Sequence, residues 1–240
     1  MIKKPSISIF FPCYNDEKSI VKLVKNAFKI VRKHTNNYEV IVIDDGSKDR
    51  SREALLKLAK EYPKLKLVFH RKNKGYGGAL KSGFKTANKD LIFYTDGDGQ
   101  YDVLELPLLL NLMTKDVNFI NGIKMARHDP TYRIILGNAY SFFARWLFFL
   151  PIYDVDCDFR LIRKSIIKKI KLKSNSGSIC VELIKKAQRN GAKFRQVSVH
   201  HYERRWGQSQ FFRVSRLWKT FKELSDLWYK LMLQEKLIRK

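Results

Sequence analysis

Cysteine is scarce in this chain, and its spacing excludes the sites that cysteine usually builds. Only Cys13, Cys157 and Cys180 occur among the 240 residues, and no two of them form a Cys-x-x-Cys pair. An odd number of widely separated cysteines argues against both a disulfide framework and a structural zinc site. A reducing compartment such as the cytosol is therefore expected.

The sequence also lacks a long uninterrupted apolar run. The apolar residues 7–11 are too few for the core of a signal peptide and are followed by Pro12, so no secretion signal is expected. The longest apolar stretch, residues 134–153, has about the length of a membrane span, but it contains Asn138 and Arg145, which are costly in mid-bilayer. This stretch predicts a helix on a membrane surface rather than a spanning one.

Acidic residues are few compared with basic ones. Lysine and arginine number 48 against 23 aspartates and glutamates, which gives a formal net charge of +25. Such a field favours polyanions, including nucleic acid, anionic lipid and sugar diphosphates, but a solvated lysine-rich surface explains the charge equally well. With 45% hydrophobic residues, the chain can bury one substantial core without disulfides or structural metal.

Short apolar runs alternate with amphipathic stretches over the first 120 residues. This alternation predicts βαβ units and a mostly parallel sheet, with polar loops converging beyond the carboxyl ends of the strands. The predicted strands are residues 7–11, 40–43, 65–69, 91–94 and 117–120, and the predicted helices between them are residues 19–33, 51–62 and 76–87. No internal repeat or low-complexity tract is present.

The pattern changes after this region. A basic linker (124–133) leads to an aromatic helix (134–150) and a polar segment (154–160); a helix (178–189), a strand (194–199) and a long amphipathic helix (211–238) follow. The aromatic helix fits either a membrane surface or an ordinary core. The last helix is compatible with membrane association, docking on the preceding α/β domain or dimerisation.

One acidic loop carries the most specific chemical signal. Asp96 and Asp98 directly follow a predicted strand, and Gln100 stands two residues further on. These hard oxygen ligands suit Mg²⁺ or Mn²⁺ and leave coordination positions for phosphate oxygens. The alternative is a plain Asp-Gly turn between a strand and a helix.

Two further loops also follow predicted strands. In Asp44-Asp45-Gly46-Ser47, a carboxylate can accept hydrogen bonds from a ribose or a base, while Ser47 or Asp49 can cap the next helix. The glycines of residues 73–78 allow a ligand to approach the backbone at a helix start. No Gly-Lys-Ser/Thr follows them, so this is not a Walker loop.

Taken in order, these segments resemble glycosyltransferase family 2, in particular its polyprenyl-phosphate branch. The resemblance rests on six segments: Pro12-Cys-Tyr-Asn-Asp16, residues 44–49, residues 73–79, Asp96-Gly-Asp98-Gly-Gln100, residues 154–160 and Arg204-Arg-Trp-Gly207-Gln-Ser209. It departs from the family pattern at Asp158, where glycine is usual, and at Asp16, where glutamate is usual.

The resemblance implies a glycosyltransferase A-type, Rossmann-like α/β fold with C-terminal amphipathic helices at the membrane interface. It also implies that Asp45 holds the base or ribose, that Asp96 lies near ribose and sugar, and that Arg204 and Ser209 clamp the diphosphate. Asp98 and Gln100 would hold the Mg²⁺ or Mn²⁺ ion. The full set of expected substrate-binding residues is Pro12, Tyr14, Asp16, Asp44, Asp45, Gly46, Ser47, Gly75, Gly78, Asp96, Arg160, Arg204 and Ser209.

The acceptor side is expected near the aromatic helix. Arg127 and Arg133 precede it, where a lipid phosphate would lie at headgroup depth; with Asp96 and Asp98 they form the expected catalytic set. His200 and His201 are interpreted as structural or as part of the loop that reaches the diphosphate, because a phosphate acceptor is largely deprotonated at neutral pH and needs no strong base.

The expected function is inverting transfer of a sugar from a UDP- or GDP-linked donor to a polyprenyl phosphate, at the cytoplasmic face of a membrane. Residues 1–209 would form the catalytic domain and residues 210–240 a C-terminal helix. One alternative is a saccharide hydroxyl acceptor, with Asp154, Asp156 or Asp158 as base. Another is a basic protein that binds nucleic acid or lipid surfaces, although acidic loops make a nucleic-acid partner unexpected. A membrane-protein partner or a homo-oligomer is left open.

Overall fold

The computed structural model describes residues 5–125, 131–204 and 214–234. For Arg133, residues 214–219 and Gln234 it describes the backbone alone. The described strands are β1 (Ile7–Cys13), β2 (Tyr38–Asp44), β3 (Leu65–Phe69), β4 (Leu91–Thr95), β5 (Phe119–Met125), β6 (Phe159–Arg163) and β7 (Phe194–His200).

These strands form one sheet in the order β3-β2-β1-β4-β6-β5-β7. Every neighbouring pair is parallel except those of β6, which runs antiparallel between β4 and β5. The predicted α/β class with a mostly parallel sheet is therefore confirmed. The carboxyl ends of β1, β2 and β4 lie at the same edge, because parallel strands that pair directly share their direction.

Helices cover both faces of the sheet. They are α1 (Glu17–His34), α2 (Ser51–Glu61), α3 (Tyr76–Thr86), α4 (Leu106–Leu112), α5 (Thr131–Phe148), α6 (Lys164–Ile167), α7 (Ile179–Arg189) and α8 (Val214–Trp228). A π-helical segment, Tyr229–Gln234, continues α8. None of the helices within the described ranges is both long and apolar enough to cross a bilayer.

The sequence periodicity explains how two cores form. In β1 and β2 every residue is buried, and successive side chains point to opposite faces. Phe11 and Val42 join the core under α1 and α2, whereas Phe10 and Ile43 join the core under α3, α7 and the C-terminal helix. The continuous apolar runs of these strands are thus what a sheet covered on both faces requires.

Strand β6 and helix α4 were not predicted from the sequence. Residues 154–160 were interpreted as a polar segment, yet Phe159 and Leu161 are fully buried and pair with β4. The strand was missed because Asp158 and Arg160 break the apolar pattern. Both charges are accommodated by pairing with each other inside the protein.

Helix α5 exposes its large apolar side chains instead of burying them. Ala144 and Phe148 are buried, but Trp146 is 68% exposed and Phe142 is 63% exposed. Further exposed members of this apolar face are Tyr132, Ile135, Leu136, Phe143 and Leu147, followed by Phe149 and Tyr153 after the helix. An ordinary core helix would bury these side chains, so the surface-helix interpretation fits better.

Helix α8 and its π-helical continuation pack against the rest of the protein. Leu227 and Leu231 are buried in the second core, and the indole nitrogen of Trp228 donates a hydrogen bond to the Leu147 carbonyl at 3.1 Å. The carboxylate of Glu223 accepts hydrogen bonds from the hydroxyls of Ser176 and Ser178. One side of this helix therefore packs against the rest of the protein, whereas Phe221 and Tyr229 are exposed.

Candidate active site

A crevice forms where the loops after β1, β2 and β4 meet. The backbone N–H of Asp45 donates to the Cys13 carbonyl at 2.9 Å, and the N–H of Asn15 donates to the Ser47 hydroxyl at 3.0 Å. Gly97 packs so tightly on the Pro12 carbonyl oxygen that a Cβ there would lie 2.3 Å from it. The three predicted motifs that follow β1, β2 and β4 are thus brought together. Pro12 is buried beneath them and Tyr14 is half-buried.

The acidic loop after β4 places two carboxylates in this crevice. One oxygen of Asp96 accepts a hydrogen bond from the Tyr76 hydroxyl at 2.7 Å, and one oxygen of Asp98 accepts the Gln100 N–H at 3.1 Å. Burial, followed by the charges of Asp158 and Asp98, raises the pKa of Asp96 well above its usual value. The hydrogen bonds of the loop therefore do not fully stabilise the ionised form of Asp96.

Asp16, from the loop after β1, adds a third carboxylate. Burial, followed by the charge of Asp98, raises its pKa from 3.8 to about 6. The guanidinium of Arg204 bridges the two acidic loops, with Nη2 at 3.0 Å from Asp16 Oδ1 and Nη1 at 3.4 Å from Asp98 Oδ2. The predicted partners Asp98 and Arg204 are thus in contact, although 106 residues separate them.

The segment that carries Arg204 is fastened to the acidic loop. The Tyr202 N–H donates to the Gln100 carbonyl at 2.8 Å, and the Gln100 side-chain nitrogen donates to the Tyr202 carbonyl at 3.1 Å. Tyr101 and His201 form an isolated β-bridge beside them. His200 instead points to Glu105, with which it forms a close ion-pair contact.

Asp45 organises the glycine-rich loop. Its carboxylate accepts the N–H groups of Lys74 and Gly75, both at 2.9 Å, and lies 2.6 Å from His70 Nδ1. The residue is only 3% exposed and both of its oxygens already accept hydrogen bonds, so little of it is accessible to a base or ribose. Its neighbour Asp44 is fully buried and binds Arg52 and the Ser47 N–H.

The glycines of these loops are required by close packing. Gly75 has φ +80°, and a Cβ there would lie 2.6 Å from the Asn175 carbonyl oxygen. Gly46 has φ +75° and lies against the backbone of Asn73. A Cβ on Gly78 would meet the Lys74 side chain at 2.5 Å. Only glycine fits these positions without displacing backbone or a neighbouring side chain.

Arg160 does not contact the crevice, contrary to its predicted place among the substrate-binding residues. It is fully buried. Its guanidinium donates to Asn121 Oδ1 at 2.7 Å, to the Tyr94 hydroxyl at 2.6 Å and to the Val155 carbonyl at 2.6 Å. It also pairs with Asp158 at 2.9 Å. Arg160 therefore stabilises the interior behind Asp96.

The side chains of three expected site residues lie outside what the structure describes. Arg127 and Ser209 belong to ranges that are not described, and of Arg133 only the backbone is described, in the first turn of α5. Their expected roles on the lipid phosphate and the donor diphosphate stay predictions.

Sequence reasoning missed two side chains that shape the site. Neither Tyr76 nor His70 is among the expected site residues, yet they bind Asp96 and Asp45 respectively. His70 also contacts the Ser82 hydroxyl at 2.8 Å. A signal was present for His70, because it directly follows β3 at the same sheet edge as the other loops.

The donor set suits a divalent ion that shares its coordination sphere with a ligand. Within the described ranges, no group of three or more His, Cys, Asp or Glu side chains forms a complete metal site. Asp98, with the amide oxygen of Gln100, supplies hard oxygens from one loop only. Mg²⁺ is commonly bound through one or two carboxylates plus phosphate oxygens, so the residues present fit such an ion.

Comparison with solved structures agrees with this architecture. Glucosyl-3-phosphoglycerate synthase from Mycobacterium tuberculosis, in complex with Mn²⁺, uridine diphosphate and phosphoglyceric acid, aligns over 94% of this chain and 78% of its own. The TM-score is 0.70 at 16% identity. The complex of the same enzyme with uridine diphosphate gives 0.69 at 13% identity. At this identity the likeness shows the fold.

Comparison with curated proteins extends over nearly the whole chain. The undecaprenyl-phosphate 4-deoxy-4-formamido-L-arabinose transferases of Pectobacterium atrosepticum and Photorhabdus laumondii are 26% and 28% identical to it, over 95% and 96% of its length. The chain spans about two thirds of the length of these relatives (66% and 67%). The model of glycosyl transferase family 2 matches residues 8–171, which is more than half of the chain. From its sheet, its acidic crevice and this match, the chain belongs to glycosyl transferase family 2.

Proposed function

We propose that the protein transfers a sugar from a nucleoside-diphosphate donor to a polyprenyl phosphate, with Mg²⁺ or Mn²⁺ as cofactor. The observation that carries the proposal is the crevice in which Asp16 and Asp98 share the guanidinium of Arg204, with Asp96 in the same loop as Asp98. Carboxylates that repel phosphate require an intervening cation, and the arginine fork recognises phosphate oxygens. Two relatives that match almost the entire chain are named as undecaprenyl-phosphate sugar transferases, which supports the acceptor class.

On the donor side, Asp98 and Gln100 hold the metal ion while Asp45 and Asp96 position nucleoside and sugar. The bound ion supplies a Lewis acid that offsets negative charge on the departing diphosphate. Arg204 and Ser209 add hydrogen-bond donors to the same oxygens. Tyr76 orients the Asp96 carboxylate through its 2.7 Å hydrogen bond.

On the acceptor side, Arg127 and Arg133 bind the lipid phosphate near the start of α5. The exposed apolar face of this helix supports a position at the membrane surface, since aromatic side chains favour the interface between headgroups and acyl chains. The protein thereby acts as a peripheral protein at the cytoplasmic face, where its basic surface meets anionic lipid.

A saccharide hydroxyl acceptor would need a free carboxylate as base, and the three candidates are engaged elsewhere. Lys124 Nζ lies 3.5 Å from Asp154 and 3.1 Å from Asp156, and Arg160 pairs with Asp158. Each of the three carboxylates is therefore already held in an ion pair. A phosphate oxygen is already deprotonated and needs no base.

The test begins with the donor. UDP-glucose, GDP-mannose and UDP-N-acetylglucosamine are screened with Mn²⁺ by thermal shift, because a ligand of the folded state raises its stability. Transfer from the stabilising donor is then measured to undecaprenyl phosphate and to saccharide acceptors, with and without EDTA. We expect metal-dependent transfer to the lipid phosphate. Transfer only to a saccharide hydroxyl would refute the proposed acceptor.

The acceptor assignment predicts a split between two rates. Arg127→Ala or Arg133→Ala should reduce transfer to polyprenyl phosphate by about 10-fold or more, because the phosphate loses a charged hydrogen bond. Slow hydrolysis of the donor by water should change little. Equal losses in both rates would contradict the assignment. An α-linked donor should also give a β-linked product by NMR, since one displacement inverts the centre and no enzyme nucleophile is identified.

The membrane proposal is tested by flotation with anionic vesicles. Binding should fall as salt rises and should weaken in the double variant Phe143→Ser/Trp146→Ser. The matched control is Leu56→Ser/Leu108→Ser, which removes two exposed apolar side chains from α2 and α4. Equal binding of both variants, or no binding of the parent protein at low salt, would refute it.

A further inference from the structure

We infer that Arg204 occupies the cation position of the acidic crevice before the donor arrives, and that the metal ion with its nucleotide displaces the guanidinium from the carboxylates onto the diphosphate. Arg204 would then be an exchangeable counter-ion as well as a donor ligand. This inference rests on the proposed function, because it requires a metal–nucleotide ligand.

The geometry places one guanidinium between two loops. Its Nη2 lies 3.0 Å from Asp16 Oδ1 and its Nη1 lies 3.4 Å from Asp98 Oδ2. The Arg204 side chain is only 18% exposed, so this contact is shielded from water. Because the guanidinium binds both Asp16, after β1, and Asp98, after β4, it offsets the repulsion between these two carboxylates.

A metal ion and this guanidinium compete for the same oxygens. A divalent ion bound by Asp98 approaches an oxygen to about 2.1 Å and brings two positive charges beside the fork. At such range the repulsion between the two cations is strong in a partly buried site. The ion and the guanidinium therefore exclude each other from Asp98, unless the guanidinium gains a new anionic partner.

The diphosphate is such a partner, and the backbone near Arg204 is already in position. Tyr202 exchanges two hydrogen bonds with Gln100, at 2.8 and 3.1 Å, so the segment stays beside the acidic loop. Rotation of the Arg204 side chain alone can redirect the fork from carboxylate to phosphate oxygens, which match its bidentate geometry. The exchange makes metal binding weak without nucleotide and strong with it.

The experiment measures Mn²⁺ binding to the full chain by electron paramagnetic resonance, alone and with UDP or GDP. Arg204→Ala should bind Mn²⁺ alone about 5-fold or more tightly than the parent protein. An effect of this size is typical when one charged group competes with the binding of another. The same variant should bind the nucleotide with Mn²⁺ more weakly. Arg195→Ala, which removes an equal charge from the exposed face of β7, should change neither affinity.

The outcomes separate the two proposals. Unchanged Mn²⁺ affinity in Arg204→Ala, or a loss of affinity, would overturn the exchange while leaving the metal site intact. Absence of Mn²⁺ binding in every variant, even with UDP and GDP, would overturn both. Arg204→Gln removes the charge but keeps a polar side chain; it should also bind Mn²⁺ alone more tightly than the parent protein, and it provides the test if Arg204→Ala does not fold.

Discussion

Carboxylates in two regions of this protein have pKa values shifted in opposite directions. In the crevice, the pKa values of Asp16 and Asp96 are raised, by burial first and by neighbouring carboxylates second. At Glu39 in β2 and Glu182 in α7, burial acts in the same direction, yet both pKa values are lowered. Burial alone therefore does not distinguish the two regions.

The partners make the difference. Glu182 accepts the N–H groups of Lys173 and Ser174 and the ammonium of Lys186, at 2.6 to 3.0 Å. Glu39 accepts the Ser8 hydroxyl and the Asn88 N–H, both at 2.6 Å, and pairs with Lys66. Glu39 and Glu182 thus each have a cation and donors of their own, whereas Asp16 and Asp98 share the one guanidinium of Arg204 and lie near each other. Sites built for a charged ligand commonly leave such charge incompletely offset.

The largest expected effect comes from breaking the crevice itself. Asp98→Asn should reduce metal-dependent turnover by about 10²- to 10³-fold, because the metal and the leaving diphosphate lose a charged ligand. Its melting temperature should not fall. Glu39→Gln provides the contrast, with nearly parental turnover but a loss of about 2 kcal/mol in stability. Parental turnover in Asp98→Asn at any Mg²⁺ or Mn²⁺ concentration would remove the metal-site assignment.

A second prediction concerns the stabilising carboxylate Glu182. Its folded pKa is lowered, so its contribution to stability is present above the unfolded value of 4.5 and is lost as the pH falls through the lowered pKa. Glu182→Gln should lower the free energy of unfolding by about 2 kcal/mol near neutral pH, less in acid. Urea titrations at several pH values measure this. The exposed Glu61→Gln is the control, and an equal loss there would contradict the prediction.

The smallest predicted effect concerns Asp16, where removing the carboxylate should raise the free energy of unfolding instead of lowering it. The folded pKa of Asp16 is raised to about 6, so ionisation costs stability as the pH rises from 3.8 through 6. That rise corresponds to about 3 kcal/mol with the charge of Arg204 already included, and loss of the carboxylate's hydrogen bonds in the variant offsets part of it. In EDTA, Asp16→Asn should therefore be more stable than the parent protein by about 1 kcal/mol at neutral pH, with the gain vanishing in acid. A destabilised variant at neutral pH would show that the crevice carboxylates resemble Glu182 after all.

Local patterns were sufficient for the framework of the site. Asp45, Asp96 and Asp98 each follow an apolar run that folds as a parallel strand, and parallel strands bring their carboxyl ends together. The strand limits at β3 and the start of α3 match the predicted residues. Strand β6 was missed, since its charges are compensated only by contacts with distant residues.

The sequence by itself determined the mostly parallel sheet, the family and the acidic loops, because strand periodicity and motif spacing are local properties. Only the tertiary structure decided the partners: Arg160 turned inward to Asp158, His70 to Asp45, and Arg204 to Asp16 across 188 residues. The same structure left the aromatic face of α5 exposed. Such choices depend on which groups share a desolvated space, where an unpaired charge is costly, and no spacing along the chain encodes that proximity.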